Sequence, residues 1–447
     1  MSQHLRRSRI AKALTDRALG AKSFAAAEQQ LDQVRVAIKL SPSLARTAAG
    51  QSAALTAIRA SYKTFGNATL VGAAATRLIK RLPIGKTIGT AARALGAHIV
   101  DRIPTDTTHL VTIGNDQDPS GSFVRCWWDG WTAGVVPPWD SRACGLSGNP
   151  LAGVFAGAIA VREVFASVLG YPRSGARVSI VSLWEPWINP ELASAGPGTV
   201  FIPPRLWFIG LGHLGQGFLW SLGLLPVAGV QAVLQDDQNV GEENVATGLI
   251  TGEPDVTRKK ARVAADWLDG IGWPTTLIER RHHGDIPRLP GDAGIVVTGL
   301  DEPDARIQIA NAGFDYMIDA GVGHGSTDFE TAQIRVLARG ADPGEFWSTH
   351  EPPKDLTKLL ESCAYQELGA TDSCGTRTLA GASVAVPFVG AAIGALTITQ
   401  AIRIASMQPT VQLMQMELGC PALTCTGRMN TEPLTSLGSI TMCLAER

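Results

Sequence analysis

Two kinds of hydrophobic pattern alternate along the second half of the chain. Short apolar runs rich in β-branched and aromatic residues are typical of buried parallel strands, whereas apolar residues that recur every three or four positions predict helices. The predicted strands are 206–210, 230–235, 293–298 and 315–319, and the predicted helices are 215–225, 255–268 and 304–313. Because strands and helices alternate, we predict an α/β fold with a Rossmann-like, doubly wound parallel sheet.

The first half shows the same alternation less clearly. Strand patterns occur at 34–40, 69–72 and 108–114, and helix patterns occur at 45–62 and 150–169. A long apolar helix is predicted late in each half, at 150–169 and at 380–404, so we infer an internal duplication. The loop after the first strand of this half contains no glycine, which indicates that this copy is degenerate and has lost a nucleotide-binding loop.

The clearest domain boundary is a run of small residues, Ser194-Ala-Gly-Pro-Gly-Thr199. Such runs are typical of flexible linkers. We therefore predict one domain over 1–195, a second over 196–410 and a strand-rich tail over 411–447.

One segment, 379–402, carries no charge and is long enough to span a bilayer. It is interrupted by glycine, proline, threonine and glutamine, which favours a buried core helix instead. We expect no membrane association.

Composition narrows the class of protein. Hydrophobic residues make up 45% of the chain and charged residues 18%, as in globular proteins. The formal net charge of −1 argues against a dedicated nucleic-acid-binding protein. Seven cysteines at irregular spacing do not form the framework of a secreted, disulfide-stapled protein, so we expect a reducing cytoplasm.

The sequence Gly210-Leu-Gly-His-Leu-Gly215 lies between a predicted strand and a predicted helix. In this context Gly210 permits a tight turn, Gly212 lets backbone amides approach a phosphate and Gly215 allows close packing of helix on strand. Asp236 ends the next strand, where a carboxylate can accept hydrogen bonds from ribose hydroxyls. These residues predict a nucleotide site, the alternative being a purely structural glycine turn.

Three further residues favour ATP over a nicotinamide coenzyme. Lys259 and Lys260 lie on the helix after Asp236, within reach of phosphates, and Asp301 follows a buried strand, where it can hold Mg²⁺. Each also has a simpler interpretation: Lys260 as a solvated helix charge, and Asp301 as the cap of the following helix. An NAD-dependent oxidoreductase therefore stays an alternative.

Several linked motifs resemble the ThiF/MoeB and ubiquitin-activating adenylyltransferases. They are Gly210-Leu-Gly-His-Leu-Gly215, Gln235-Asp-Asp-Gln-Asn-Val-Gly-Glu-Glu-Asn244, Asp255-Val-Thr-Arg-Lys-Lys-Ala261, Thr298-Gly-Leu-Asp301, Asp304-Ala-Arg306 and Ile318-Asp-Ala-Gly-Val-Gly-His-Gly325. The resemblance covers residues 201 to about 405. It implies an active adenylation domain over 196–410, an inactive adenylation-like domain over 1–195, and a dimer or pseudo-dimer.

The resemblance also assigns roles. It implies that Asp236 binds the ribose of ATP, that Asn244 and Lys260 bind the triphosphate, and that Asp301 binds Mg²⁺. The chain departs from the family at His213, where glycine is usual, and at Thr247, where arginine is usual. An arginine near the N-terminus of a partner adenylation domain often completes the site in this family. Arg6, Arg7 and Arg9 are candidates by position, and a solvated helix charge is the alternative for them.

The implied activity is ATP-dependent adenylation of the C-terminal carboxylate of a ubiquitin-like protein. Cys374, which precedes the predicted long helix, resembles the reactive cysteine of autophagy-type activating enzymes and would pass the acyl group to a conjugating-enzyme-like protein. Cys363 is a second candidate nucleophile, and a buried structural role is the alternative for Cys374. In bacteria such chains resemble components of antiphage conjugation operons. The alternatives are a sulfur-carrier adenylyltransferase without an enzyme thioester and a non-catalytic nucleotide-binding module.

The remaining motifs give weaker expectations. Cys420 and Cys425 have spacing compatible with zinc but lack a second close pair. His282 and His283 are expected in a surface turn. The tryptophans of the first half are expected to pack in a core or interface, with a docking surface as the alternative; they are Trp127, Trp128, Trp131 and Trp139.

Overall fold

The computed structural model describes residues 6–17, 20–115, 121–145, 148–347, 356–370, 372–422, 424–430 and 438–444, apart from the side chain of Cys425. Within this part of the chain, two α/β halves share one continuous hydrophobic core.

The N-terminal half is built around a mainly parallel sheet. Its helices are α1 (Ser8–Thr15), α2 (Phe24–Asp32), α3 (Ala48–Phe65), α4 (Ile88–Ala94) and α5 (Pro150–Val168). Its strands are β1 (Val36–Leu40), β2 (Thr69–Val71), β3 (Arg77–Leu82), β4 (Gly85–Thr87), β5 (His98–Val100), β6 (His109–Ile113), β7 (Val124–Asp129), β8 (Thr132–Val136) and β9 (Ser179–Ser182). The strand order is β5-β2-β1-β6-β7-β8-β9, parallel as far as β7 and antiparallel from β7 to β9. The short strands β3 and β4 form a separate hairpin.

The C-terminal half repeats this plan. Its helices are α6 (His213–Gly223), α7 (Glu242–Thr247), α8 (Lys260–Gly270), α9 (Pro303–Ala310), α10 (Thr357–Leu360), α11 (Cys363–Gly369), α12 (Ser373–Gly381) and α13 (Pro387–Ala405). Its strands, after β10 (Thr199–Ile202), are β11 (Arg205–Ile209), β12 (Gln231–Gln235), β13 (Thr275–Ile278), β14 (Ile295–Thr298), β15 (Tyr316–Val322), β16 (Thr331–Ala338), β17 (Leu413–Glu417), β18 (Thr424–Thr426) and β19 (Ile440–Cys443). The order is β13-β12-β11-β14-β15-β16-β17-β18, parallel as far as β15.

The two sheets confirm the predicted duplicated, Rossmann-like fold. In each half the first strand of the sheet lies third in the strand order. It is flanked by two parallel strands, β2 and β6 around β1 in the N-terminal half and β12 and β14 around β11 in the C-terminal half. The long helices also correspond, since α5 lies between β8 and β9 in the chain and α13 lies between β16 and β17. The strands of the predicted 411–447 tail complete sheets that begin earlier, because β17 and β18 extend the C-terminal sheet and β19 pairs with β10.

Glycines on the long helices allow close helix packing in both halves. A Cβ atom at Gly153 of α5 would lie 2.0 Å from the carbonyl oxygen of Ala49 on α3. A Cβ atom at Gly217 of α6 would likewise lie 2.0 Å from the carbonyl oxygen of Gly390 on α13. Both α5 and α13 pass the length and hydropathy test for a membrane span, yet they are 89% and 94% buried, so they are core helices of the two halves, as predicted for the second one.

The strands of the C-terminal sheet are apolar on both faces. Leu206 and Phe208 face the main core, whereas Trp207 and Ile209 belong to a second core beneath α9. This arrangement explains why β11 reads as a continuous apolar run rather than an alternating one. Packing on both faces holds the sheet in place, and the candidate site lies at the carboxyl edge of this sheet.

Two helices begin well after their predicted starts. The long helix begins at Pro387 rather than at 380, because the preceding residues are held extended. The carbonyl oxygens of Ser383 and Val386 accept hydrogen bonds from side chains of other elements, and a residue before proline disfavours helical backbone. The helix predicted from 255 begins at Lys260, after a 3₁₀ turn at Glu253–Asp255.

Candidate active site

A cavity of about 500 Å³ opens at the carboxyl edge of β11, β12 and β14. In open α/β sheets this edge is where ligands bind. Among the described residues that line it are the cations Arg9, Lys260, Arg280, Arg281, Arg306 and Arg335 and the carboxylates Asp236, Asp237, Asp301 and Glu302. The excess of cations favours an anionic ligand.

The predicted glycine loop forms one wall of this cavity. Gly210 has a φ of +83°, which disfavours residues with a side chain. A Cβ atom at Gly212 would meet no atom within 4 Å, so its backbone faces open space, whereas one at Gly215 would lie 2.2 Å from the carbonyl oxygen of Gly210. The three glycines thus have the geometry of a phosphate cradle at the start of α6.

Asp236 holds the glycine loop in place. Its Oδ2 accepts a hydrogen bond of 2.7 Å from the amide of Leu211, and its Oδ1 accepts one of 2.8 Å from the amide of Gln238. Each carboxylate oxygen has a second lone pair, so the same group can still accept hydrogen bonds from a ribose. The residue is 9% exposed at the cavity wall.

Lys260 and Asn244 lie on the side of the cavity formed by the segment after β12. Nζ of Lys260, the first residue of α8, donates to Oε1 of Gln238 at 2.7 Å. Oδ1 of Asn244 accepts a hydrogen bond of 2.9 Å from the amide of Gly241. This bond orients the amide side chain and leaves its NH₂ group available to a ligand.

Asp301 lies in the exposed loop after β14 and also lines the cavity. Its carboxylate makes no hydrogen bond or ion pair with the described part of the chain, and Glu302 rather than Asp301 occupies the cap position of α9. The capping alternative for Asp301 is therefore wrong. An accessible carboxylate next to a phosphate cradle fits Mg²⁺, which usually takes one or two carboxylates and completes its shell with phosphate oxygens and water.

Arg9 reaches the same cavity from the N-terminal helix α1. Its Nε donates to the carbonyl oxygen of Ser383 at 2.9 Å, and its carbonyl accepts a hydrogen bond of 3.3 Å from the amide of Ala385. Burial lowers the pKa of Arg9, while the charges of Glu243 and Asp301 act in the opposite direction. Arg9 and the carboxylate that fits Mg²⁺ thus line the same cavity.

The other two arginine candidates lie elsewhere. Arg6 forms an ion pair with Glu253, and Arg7 forms one of 2.7 Å with Asp32. Within the described part of the chain, neither of them lines the cavity.

A buried polar cluster fastens α1 to α11. Nζ of Lys12 lies 2.6 Å from the hydroxyl of Tyr365 and 2.8 Å from Oδ2 of Asp16, and the Tyr365 hydroxyl donates to Oδ1 of Asp16 at 3.0 Å. Lys12 and Tyr365 are 2% and 1% exposed. The cluster fixes the helix that carries Arg9.

The two departures from the family pattern have different surroundings. Thr247 is fully buried and its hydroxyl donates to the carbonyl oxygen of Glu243 at 2.9 Å, so its side chain serves α7 rather than a ligand. His213 lines the cavity, and its Nε2 donates to the carbonyl oxygen of Val386 at 2.8 Å. Burial lowers the pKa of His213 to about 4, so the imidazole is neutral at physiological pH.

One part of the cavity, called its far end, is lined by Arg306 and Arg335, which flank a buried carboxylate behind the cavity wall. Oδ1 of Asp319 lies 3.3 Å from Nε of Arg306, and its Oδ2 lies 3.5 Å from Nη1 of Arg335. Burial raises the pKa of Asp319, and the two arginines oppose this effect. With one carboxylate for two cations, this end of the cavity keeps a net positive charge and suits a second anionic group. The ring of Trp347 stacks under Arg335 at 5.6 Å.

Both candidate nucleophiles are exposed and lie outside the cavity lining. Cys374 is the second residue of α12, a helix separate from α13, and Cys363 is the first residue of α11. The expectation that Cys374 lies directly before the long helix is therefore wrong. Asp372 caps α12, its Oδ1 accepting a hydrogen bond of 2.8 Å from the amide of Gly375.

A histidine next to the cavity ties down the segment that joins α12 to α13. His324 lies 2.8 Å from the hydroxyl of Ser383 through Nδ1, and its Nε2 lies 3.0 Å from the carbonyl oxygen of Gly381. The amide of Val384 donates to the backbone carbonyl of His324 at 3.1 Å. These contacts fix residues 381–384 beside the cavity, and Cys374 lies on the helix that ends at Gly381.

The weaker expectations have mixed outcomes. His282 is 3% exposed and lines the cavity, so the surface-turn prediction is wrong for it, although His283 is exposed. Among the described side chains no group of three potential ligands could hold a metal ion, and the side chain of Cys425 lies outside them. Trp128 and Trp131 are buried core residues as expected, while Trp139 is 69% exposed.

Comparison with known proteins gives matches along both halves. The model of the BilD N-terminal domain matches residues 35–183, and that of the BilD C-terminal domain matches residues 202–408. The chain belongs to the BilD family. A curated BilD family member, the bacterial E1-like protein BilD of Collimonas sp. (strain OK412), is 32% identical over 395 residues, which are 86% of this chain and 85% of that protein.

Solved structures that resemble this BilD family chain include E. coli MccB with MccA-N7isoAsn and E. coli MccB with succinimide. Each is 15% identical, with a TM-score of 0.34, and covers 52% of this chain. The chain spans 66% of the MccB chain, just under two thirds of its length.

Sequence patterns missed several residues of the cavity. Arg335 and Trp347 belong to no local motif, and the histidine pair that includes His282 predicts a surface turn. Their positions depend on strand pairing and on segments far apart in the chain. The alternation of β16 is the one signal that could have found Arg335, since it places Gln333 and Arg335 on the same face.

Proposed function

We propose that this protein activates the C-terminal carboxylate of a ubiquitin-like protein by ATP-dependent adenylation. The observation that carries the proposal is the convergence of the glycine loop, Asn244, Lys260, Asp301 and Arg9 on one cavity. Membership of a family with a bacterial E1-like relative supports it.

The chemistry follows from the groups that meet there. A carboxylate is already ionised at neutral pH, so it needs no protein base to attack the α-phosphate of ATP, and the reaction yields an acyl-adenylate and pyrophosphate. Lys260, Arg9 and the loop amides neutralise charge on the phosphates, and Asp301 would hold Mg²⁺, which supplies further charge neutralisation. The positive far end of the cavity, at Arg306 and Arg335, is suited to guide the incoming carboxylate.

We further propose that the acyl group passes from AMP to the thiol of Cys374, forming a thioester that a conjugating-enzyme-like protein then receives. Exposure of Cys374 supports this step, and exposed Cys363 is the alternative acceptor. The thiol must approach the cavity for transfer, because neither cysteine lines it. A sulfur-carrier adenylyltransferase would use the same cavity but form no thioester at either residue. We also propose that the protein acts in the cytoplasm, as part of a bacterial antiphage conjugation system.

The nucleotide is tested by thermal unfolding. ATP with Mg²⁺ at about 100 times its Kd is expected to stabilise the protein by about 2.7 kcal/mol, because a ligand that binds only the folded state shifts the unfolding equilibrium. NAD at the same concentration is expected to leave the melting temperature unchanged. Stabilisation by NAD alone would support an oxidoreductase and contradict the proposal.

The role of Arg9 gives a second prediction. Arg9→Met should slow ATP–pyrophosphate exchange at saturating ATP by about 10²-fold, since it removes a cation next to the phosphates. Arg6→Met is the matched control, because Arg6 pairs with Glu253 outside the cavity, and it should keep the full exchange rate. Equal rates in the two variants would show that α1 contributes structure alone.

A further inference from the structure

Two buried cations of the N-terminal half reach into the C-terminal half. Arg59 and Lys63 lie one turn apart on α3 and are 8% and 5% exposed. Nε of Arg59 donates to the carbonyl oxygen of Leu249 at 2.7 Å, and its Nη2 donates to that of Thr251 at 2.9 Å. Nζ of Lys63 donates to the carbonyl oxygens of Val245 and Thr251. Both cations therefore bind carbonyls of one loop in the other half.

The segment that carries these carbonyls, residues 245–251, comprises the end of α7 and the residues after it, and is called the 245–251 loop. It directly follows Asn244 and is held from two sides. While α3 binds its carbonyls, the amides of Ile250 and Thr251 donate to Oε1 of Gln216 at 2.9 and 3.0 Å. Gln216 lies on α6, the helix that begins at the glycine loop. The hydroxyl of Thr251 also donates to the carbonyl oxygen of Asn244 at 2.7 Å, so the end of the loop is tied back to its start.

Burying these two cations costs free energy, which their hydrogen bonds to the loop must offset. Two like charges are buried one turn apart, and neither forms an ion pair with a carboxylate in the part of the chain that is described. Burial lowers the pKa of Arg59 to about 10 and that of Lys63 well below its usual range. Without these cations, the buried carbonyls of the loop would lack partners.

We propose that Arg59 and Lys63 are positioning residues for ATP, through which the N-terminal half holds the 245–251 loop and thereby places Asn244 at the triphosphate. This inference rests on the proposed function. It gives the degenerate half a specific role in the active half, because α3 holds the 245–251 loop in place. Thr247 cannot provide this support, since it is buried at the position where the family usually has an arginine.

The test compares two inter-half contacts of the same helix. Thr56, one turn before Arg59 on α3, accepts a hydrogen bond of 2.9 Å from Nε1 of Trp220 in the C-terminal half. Thr56→Val breaks this contact without touching the 245–251 loop, whereas Arg59→Met removes the loop contact. Arg59→Lys keeps a cation with fewer donors. The affinity for ATP with Mg²⁺ is measured by calorimetry on the full chain, below the melting temperature of each variant, together with amide hydrogen exchange in 245–251.

Arg59→Met should weaken ATP binding by about tenfold or more, as is usual for groups that orient a ligand-binding residue, and should speed amide exchange in 245–251. Arg59→Lys should recover part of the affinity, and Thr56→Val should change neither quantity. If wild type binds ATP and both Arg59→Met and Thr56→Val bind it as tightly, the positioning role is wrong and the proposed function stands. If wild type itself does not bind ATP, the proposed function fails and this inference fails with it.

Discussion

Asp301→Asn should abolish ATP–pyrophosphate exchange, lowering its rate by about 10³-fold or more, because the adenylation step loses several kcal/mol of metal-assisted charge stabilisation. The substitution keeps the shape of the side chain but removes the charge. Asp301 is exposed and makes no contact with the described residues that folding would need, so stability should hardly change. Exchange is measured with radiolabelled pyrophosphate and a ubiquitin-like protein whose C-terminal carboxylate is free.

Cys374→Ala separates the two chemical steps. It should leave exchange intact, since the cysteine lies outside the cavity lining, and it should remove a covalent adduct with the ubiquitin-like protein that a thiol reagent cleaves. Cys363→Ala should leave the covalent adduct unchanged if Cys374 is the acceptor.

Asp266→Asn, at an exposed carboxylate of α8, is the control for Asp301→Asn, because it also removes a surface charge. Loss of exchange in both Asp301→Asn and Cys374→Ala would contradict the assignment of adenylation to Asp301 and of thioester formation to Cys374. An adduct that survives in Cys374→Ala would show that the thioester forms at another residue.

The parts of this site that sequence could predict are those encoded within a few residues of one another. The glycine loop, Asp236 and Lys260 follow strands or begin helices in the order that the chain gives them, so their convergence follows from the parallel sheet alone. The duplication was also predictable, because a long apolar helix occurs late in each half, and the matching strand orders of the two sheets confirm it.

The other parts depend on contacts that no local pattern contains. Arg9 lines the same cavity as Asp301 because α1 packs against the 380–386 segment. In the sequence, the charge on Arg9 looks like any solvated helix charge. Arg59 and Lys63 are similar, since a helix with two basic residues one turn apart predicts a surface face, whereas the structure buries both against the other half. The start of α13 was misplaced for a related reason: carbonyls in 382–386 are held by Arg9 and His213, which are distant in sequence.

The largest effect on stability is expected at a buried ionic cluster that joins the halves. Arg162 of α5 makes a two-pronged contact with Glu330, at 2.9 and 2.7 Å, and lies 2.8 Å from Glu163. All three are at most 4% exposed, and although burial alone would lower the pKa of Arg162, the two carboxylates raise it. The guanidinium group thus stays charged in the core.

Arg162→Met should therefore cost about 3–5 kcal/mol of unfolding free energy, because it leaves two buried carboxylates without their cation. The double variant with Glu330→Leu should be less destabilised than Arg162→Met alone, since the second substitution removes one of the unpaired charges. Urea unfolding followed by far-UV circular dichroism measures both. A loss below about 1 kcal/mol for Arg162→Met would show that water or a rearranged side chain replaces the cation. ATP affinity of the folded Arg162→Met protein should match wild type, because the cluster lies away from the 245–251 loop and the cavity lining.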